Sequence, residues 1–370
     1  MFILDEPYVS DYLIETINKN GYNALLTPIT VNKIRNLKEK YIFENKVYTN
    51  SENSIDKIED KELLKKISVF KDKFKTRELF KKIYPDFFYK KVSKNELNNV
   101  DYKILPYPVI IKPVVGFLSI GVYVVQKEDE YFDIIQKINA DIEKSKNLFP
   151  KSVLKFDDFI IEKVIRGEEI ALDVYYNSKQ EPVILNIYKH PFVSSDDVSD
   201  RLYYTSFDII QEYSKILLPM LYKTGKEASL SDFPMHIELR IENGVPIPIE
   251  INPMRFAGWC LCDLARYAHK VNVYEAYMND LKPSFNPSDK SFFAFVLAEV
   301  PSDIKKDDII YFDINRFIED MNVEILETRI YDFKLKPLFA SFFVKAESED
   351  NLLSVLKLNT KDYVNTRRDL

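Results

Sequence analysis

His236-Ile237-Glu238-Leu239-Arg240-Ile241-Glu242-Asn243-Gly244-Val245-Pro246-Ile247-Pro248-Ile249-Glu250-Ile251-Asn252 is the stretch on which the reading of this chain turns. Before Gly244, polar His236, Glu238 and Arg240 alternate with Ile237, Leu239 and Ile241. Beyond it, Ile247, Ile249 and Ile251 alternate with Pro248, Glu250 and Asn252. A period of two marks two strands, each with one polar face. Whether those faces coincide depends on the turn. Two residues, Asn243 and Gly244, would set Glu238 opposite Ile249 and bury a carboxylate beside isoleucines. A three-residue loop, Glu242 to Gly244 with Gly244 left-handed, instead pairs His236 with Glu250 and Glu238 with Pro248. Glu238, Glu250 and Asn252 then share a face. Two carboxylates and an amide oxygen side by side call for a hard cation, Mg2+ or Mn2+. The ordinary alternative is a solvated hairpin face.

Upstream, Val109 to Ile111 reads as an apolar strand that ends on Lys112, whose stem packs while its ammonium reaches outward. The following Val114–Gly121 loop offers backbone amides and Ser119 to a triphosphate, and Ile120 to Val125 reads as the next strand. Without a Lys-Ser/Thr after its second glycine the loop is not a P-loop, and a plain hairpin with a snorkelling lysine is the competing reading. The chain has only seven glycines, and Gly116, Gly121, Gly167 and Gly258 all fall in the segments singled out here. Residues 128–147 read as a helix, and Phe159 to Glu162 as a strand leading through Lys163, Ile165 and Gly167 into an alternating strand, Glu169 to Tyr176. There Glu169, Ala171, Asp173 and Tyr175 share one face. Free backbone groups in that connection suit an adenine edge, and Glu169 suits two ribose hydroxyls; a charged turn at a sheet edge is the alternative.

The remaining chain frames these segments. Phe2 to Leu4, a helix over Val9–Asn20 stopped by Gly21, and Tyr22 to Leu26 form a β-α-β opening without a Gly-x-Gly-x-x-Gly cradle, which disfavours a nicotinamide enzyme. Lys61 to Lys82 reads as an amphipathic, solvated helix face. Residues 189–206 read as a surface loop and 208–223 as a helix. Beyond about residue 286 come strands near Phe292 to Ala298, Val323 to Tyr331 and Phe339 to Ala346, with helices near 313–321 and 348–356.

In order, Ile110-Ile111-Lys112-Pro113, the Gly116–Gly121 loop, Ile161-Glu162-Lys163 with Gly167-Glu168-Glu169, and His236-Ile237-Glu238 leading to Glu250-Ile251-Asn252 resemble the ATP-grasp superfamily, in its amino-acid ligase-like carboxylate–amine ligase branch. The resemblance spans roughly residues 70 to 270. It implies an α+β / α/β ATP-grasp fold: a pre-ATP-grasp β-α-β domain over 1–70, a small subdomain over 71–165, a large subdomain over 166–285 and a C-terminal α+β subdomain over 286–370. It also implies that Lys112 and Arg77 contact phosphates, with Lys73 competing for the place of Arg77, and that Ser119 and its loop cover the triphosphate. Adenine would lie against Glu162, Lys163 and Ile165, ribose on Glu169, and two Mg2+ (or Mn2+) ions on Glu238, Glu250 and Asn252. Arg255 resembles the arginine that steadies an acyl phosphate, although Met254 intervenes and its target is open; a structural salt bridge is the alternative. His236 is read as polar lining or a catalytic group.

The implied activity joins a carboxylate to an amine through an acyl phosphate, with Lys112 and Arg255 acting on the reacting groups and ADP and phosphate released. A non-catalytic ATP-binding regulatory or scaffold protein, or a phosphotransferase on the same fold, are the alternatives. The expected partners are a small-molecule carboxylate and amine, with a homodimer admitted. With 52 basic against 58 acidic residues, the net charge of −6 repels polyanions, so nucleic acid is not expected. Two cysteines and three scattered histidines supply neither a disulfide framework nor a zinc site. Neither a leader nor a membrane-spanning run is read, and a cytoplasmic setting is expected. The 46% hydrophobic content and 370 residues allow two or three compact units.

Overall fold

The computed structural model describes residues 1–5, 9–27, 46–51, 53–116, 121–145, 155–194 and 199–367. Ser119 and the stretch from 117 to 120 lie outside them, as do residues 195–198 of the expected surface loop.

The chain opens with β1 (Phe2–Asp5), α1 (Asp11–Asn20), β2 (Ala24–Thr27) and β3 (Tyr48–Thr49). These strands form a parallel sheet of order β2-β1-β3. Ser10 caps α1 by accepting from the Leu13 amide, and Gly21 ends it in the left-handed conformation (φ 65°). The basic stretch that follows is two helices, α2 (Lys61–Lys71) and α3 (Lys73–Phe80). Asp72 divides them: it is extended, and its carboxylate accepts from the amides of Phe74 and Lys75 to start α3. The expected solvated face is also not uniform, because Arg77 is only 4% exposed.

Next come β4 (Tyr89–Ser93), β5 (Val109–Val115), β6 (Tyr123–Val125), α4 (Tyr131–Ser145) and β7 (Lys155–Lys163), whose strands form an antiparallel sheet of order β4-β7-β5-β6. Ile135 and Ile138 of α4 pack on Val109, Ile111, Phe159 and Ile161 of this sheet.

The largest sheet takes in β8 (Glu168–Tyr176), β9 (Pro182–Lys189), β10 (Leu202–Thr205), β11 (Phe233–Glu242), β12 (Val245–Pro253) and β13 (Phe292–Glu299). It also includes β15 (Glu324–Ile330) and β16 (Leu338–Ala346), in the order β12-β11-β8-β9-β10-β13-β16-β15. The strands after residue 286 therefore extend the sheet begun by β8. β10 corrects the reading of 189–206 as loop throughout: Leu202, Tyr203, Tyr204 and Thr205 pair with β13, a long-range partner that gives no local period. Helix α5 (Phe207–Ala228) covers one face, where Ile170, Leu172, Val174, Ile237, Leu239 and Ile251 meet Leu217, Met220 and Leu221. The opposite face carries the polar side chains. Beside it lie α6 (Leu264–His269), α7 (Val273–Met278) and the first sheet. β14 (Ile309–Phe312), α8 (Ile314–Met321), α9 (Glu349–Ser354) and β17 (Val364–Thr366) complete the C-terminal part, β14 pairing with β17.

The decisive hairpin differs from expectation in its turn. Asn243 and Gly244 form a two-residue connection, both left-handed (φ 53° and 78°), and Glu242 pairs with Val245. Arg240 then faces Ile247 and Leu239 faces Pro248, which is the register expected to misplace the carboxylates. Between Leu239 and Glu238 the register shifts, and Ile249 is the extra residue on β12. After this bulge Glu238 pairs with Glu250 and His236 with Asn252. The expected pairs, His236 with Glu250 and Glu238 with Pro248, are therefore replaced. So is the single isoleucine face, since Ile247 shares the face of Arg240 and Ile251 does not.

Candidate active site

The side chains singled out in the sequence come from two sheets and the helix between them. β5 supplies Lys112, β7 supplies Glu162, and α3 supplies Lys73 and Arg77; β8, β11 and β12 supply the acidic face.

Glu162 is the centre of the first group. It is 1% exposed; its Oε2 accepts from Arg77 Nε at 2.5 Å, and its Oε1 is paired with the Lys112 ammonium. Burial alone would raise the carboxyl's proton affinity, but the charges of Arg77 and Lys112 win and hold its pKa down at about 2. For Lys112 the balance falls the other way: burial lowers its pKa, Glu162 opposes, and the nearby Arg77 and Lys73 charges add to the lowering. The guanidinium of Arg77 also lies over the Phe87 ring, 4.4 Å from its centroid.

Lys73 joins the two groups. Its Nζ donates to the Gly116 carbonyl at 2.8 Å and to Glu250 Oε1 at 3.0 Å. The contact ties the start of the glycine loop to the acidic hairpin. Burial favours the neutral form of Glu250, yet Lys73, Lys112 and Arg255 keep its carboxyl below the ordinary value. Its strand neighbour Glu238 is pushed well above, by burial and then by the charges of Glu250, Asp200 and Glu169, with Arg255 only partly compensating. Two facing carboxylates, one resisting ionisation because of the other, form a donor set that a divalent cation would relieve. Asn252, buried at the end of the same strand, adds an amide oxygen. Among the described residues no cluster of three or more His, Cys, Asp or Glu side chains could hold a metal alone. A set of two carboxylates and one amide suits Mg2+, which keeps most of its shell for phosphate oxygens and water.

Behind this set Asp173 is fully buried and accepts from the Tyr188 hydroxyl (2.6 Å) and the Ala257 amide (2.8 Å); His236 Nδ1 lies 2.9 Å from it. The Nε2 of His236 is 3.6 Å from Glu238 Oε1, so His236 bridges a buried carboxylate and the acidic face. Glu169 is held by Arg240 (Nε and Nη2, each 3.0 Å) and by His190 Nδ1 at 3.0 Å. His190 stacks on Tyr203, ring centroids 4.0 Å apart. In the connection between the sheets the Lys163 amide donates to Phe88 and the Ile165 carbonyl accepts from Arg240 Nη1. Those two backbone groups are engaged within the protein, while the Lys163 ammonium pairs with Glu242 at 2.9 Å. Gly167 (φ 102°) closes the connection where an added Cβ would lie 2.0 Å from the Ile241 carbonyl oxygen.

Past Asn252 the strand ends at Met254, whose φ of 66° is rare for a side chain of its size. Its amide donates to Pro234 O and its carbonyl accepts from the Thr49 amide, both at 2.7 Å. That kink carries Arg255 out of the strand; its Nη1 donates to Phe256 O at 3.0 Å, and its charge acts on both Glu238 and Glu250. Thus Lys112, Arg77, Glu162, Glu238, Glu250, Asn252 and Arg255 are brought to one region, together with Lys73. Sequence reasoning gave no role to Arg240, His190 or Asp200. Arg240 had a signal, its alternation with Glu238, whereas His190 and Asp200 sit in the aperiodic stretch.

A family model described as an ATP-grasp domain matches residues 105–263, from the lysine strand through the acidic hairpin. That segment is similar to ATP-grasp domains. Its fold is similar over 99% of this chain and 97% of the other to the crystal structure of an L-amino acid ligase from Bacillus licheniformis, with a TM-score of 0.69 at 14% identity. In sequence, the chain is 24% identical over 167 residues to a D-alanine--D-alanine ligase from Bacillus anthracis, covering 43% of this chain and 48% of that one. It is 28% identical over 166 residues to the enzyme of the same name from Clostridium beijerinckii, covering 42% and 49%. The chain thus spans about half the length of the curated relatives it matches. Among the described residues no helix is long and apolar enough to cross a membrane.

Proposed function

We propose that this protein is an ATP-dependent carboxylate–amine ligase of the ATP-grasp family, working through an acyl phosphate. The observation that carries the reading is the Lys73–Glu250 contact, which sets the cationic group of Lys112 and Arg77 against the acidic hairpin across one cleft. Cations on one wall suit the α- and β-phosphates, and an oxygen-rich wall facing them suits the metal ions that accompany a triphosphate. Glu238, Glu250 and Asn252 would hold two Mg2+ ions, which when bound neutralise charge on the transferring phosphoryl group.

The chain's own groups then take the following roles. Lys112 and Arg77 hold the phosphates, with Glu162 fixing both cations in place. Glu162, Lys163 and Ile165 line the adenine position, Glu169 accepts from ribose hydroxyls, and Ser119 belongs to the covering loop. A carboxylate oxygen of the first substrate attacks the γ-phosphorus and ADP leaves. Arg255 steadies the negative charge of the resulting acyl phosphate. The amine nitrogen of the second substrate then attacks the carbonyl carbon, the C–O bond to phosphate breaks, and the amine gives up a proton as the amide forms.

The test is ADP release measured with pooled small carboxylates and amines for the parent and for Glu250→Gln. The variant is expected to fall by at least about 100-fold, equivalent to roughly 2.7 kcal/mol of transition-state stabilisation. Equal rates would reject the reading. Binding of nucleotide without substrate-stimulated turnover in the parent would point instead to a regulatory nucleotide-binding protein.

A further inference from the structure

The residues that follow Arg255 adopt a backbone that the nucleotide cleft does not itself explain. Trp259 and Cys260 are both left-handed, with φ 51° and 59°. Two such residues in succession, neither of them glycine, persist only where their surroundings over-determine the conformation. The surroundings act from both ends. Upstream, the Ala257 amide is held by Asp173. Downstream, fully buried Asp263 accepts from the Tyr274 hydroxyl at 2.7 Å and from Arg329 Nη2 at 2.9 Å.

Arg329 lies on β15, beyond the stretch matched by the family model. Its Nε donates to Glu327 at 2.6 Å, its guanidinium lies 4.5 Å from the Phe343 ring centroid, and its buried Nη1 has no hydrogen-bond partner among the described residues. Two residues on, Tyr331 meets Trp259 edge to face at 5.7 Å. A buried guanidinium with an unmet donor is a poor device for stability alone, since apolar groups of similar volume often serve as well. It does fix orientation. The held segment adjoins the cleft directly: a Cβ added at Gly258 would stand 3.7 Å from Arg255 Nη1.

We propose that Arg329 is a positioning residue: its ion pair with Asp263 fixes the Trp259–Cys260 turn and thereby sets where the Arg255 guanidinium stands. The C-terminal strands thus take part in the chemistry without touching nucleotide. The kinetic half of this inference rests on the ligase reading; the structural half does not.

Trp259 is the only tryptophan in the chain, so its emission reports on the turn directly. In the full-length protein, Arg329→Met is expected to shift that emission to longer wavelength while leaving Mg-ADP affinity, measured by calorimetry, within about twofold of the parent. Turnover of ADP release is expected to fall about tenfold with the KM for ATP unchanged, and Arg329→Lys is expected to restore part of both changes. Should Arg329→Met not fold, Arg329→Lys takes its place and is expected to shift the emission the same way by a smaller amount, with turnover lowered less than tenfold. An unmoved emission in the folded variant overturns the proposal. So does nucleotide affinity falling as far as turnover, which would mark general damage to the cleft. If no protein, the parent included, turns over, the ligase reading fails and the emission and its rescue by lysine still decide the role of Arg329.

Discussion

Replacing Glu162 by glutamine keeps the shape of the side chain and removes its charge, leaving Arg77 and Lys112, each 4% exposed, without a counterion. The lowering of the Glu162 pKa from 4.5 to about 2 corresponds to roughly 3 kcal/mol of folded-state preference for the carboxylate, at about 1.4 kcal/mol per pH unit. The Lys112 shift opposes this, since burial makes its ammonium easier to deprotonate despite Glu162. The net loss for Glu162→Gln is therefore set at about 2–3 kcal/mol, below the roughly 3–5 kcal/mol typical of breaking a buried pair. Because the folded-state pKa lies below the unfolded one, the stabilisation is complete above pH 4.5 and drains away as the pH falls toward about 2. Urea unfolding of parent and variant should show a constant difference between about pH 7 and pH 5. Adding Lys112→Met to Glu162→Gln should recover about 1 kcal/mol or more, because one uncompensated charge has gone. A variant within about 0.5 kcal/mol of the parent at neutral pH, or a difference that collapses already between pH 7 and 5, would refute the reasoning.

Gly167→Ala places a methyl carbon 2.0 Å from the Ile241 carbonyl oxygen at a φ of 102°, so a loss of at least about 2 kcal/mol is expected, read as a lowered urea midpoint; an unchanged midpoint would mean the connection relaxes freely. Inserting one alanine after Ile249 gives β12 one residue more than the bulge absorbs, so that Glu250 pairs with Ile237 and, with Asn252, turns away from the face of Glu238. Mg2+-dependent nucleotide binding by calorimetry should weaken by at least about tenfold, and binding at the parent's affinity would show that these side chains do not act together.

Much of the site was legible because it rests on periodicity within strands. Glu169, Ala171, Asp173 and Tyr175 do share a face, and the isoleucine and leucine positions between them do pack on α5. Local capping was legible too: Gly21 ends the first helix as its position suggests. What escaped was set by partners distant in sequence. β10 is a strand because β13 runs beside it. Arg77, given a phosphate contact only by the resemblance, otherwise read as one more charge on a solvated face, yet Glu162, 85 residues away, draws it into a buried pair. Arg329 carried no local signal at all, since Asp263, its partner, is 66 residues upstream on a turn that no propensity scale would foresee.

The hairpin shows why a correct conclusion emerged from a wrong turn. Side-chain parity constrains only the total of turn residues and bulges, so an odd loop and an even loop with one bulge place the carboxylates on the same face. The chemical demand, that Glu238 and Glu250 not be buried among isoleucines, fixes that total and leaves the route free. The route was nonetheless written in the chain. Asn243-Gly244 is the preferred two-residue turn, and β12 is an edge strand in which Pro246 and Pro248 cannot donate to a ladder. A proline at a strand edge marks where a ladder can be interrupted, and the interruption falls immediately after Pro248. The bulge also places Glu250 directly across from Glu238 rather than one pair along. Burial and that direct opposition raise the proton affinity of Glu238 while Lys73 holds Glu250 ionised, and in the proposed function a shared cation would relieve the pair.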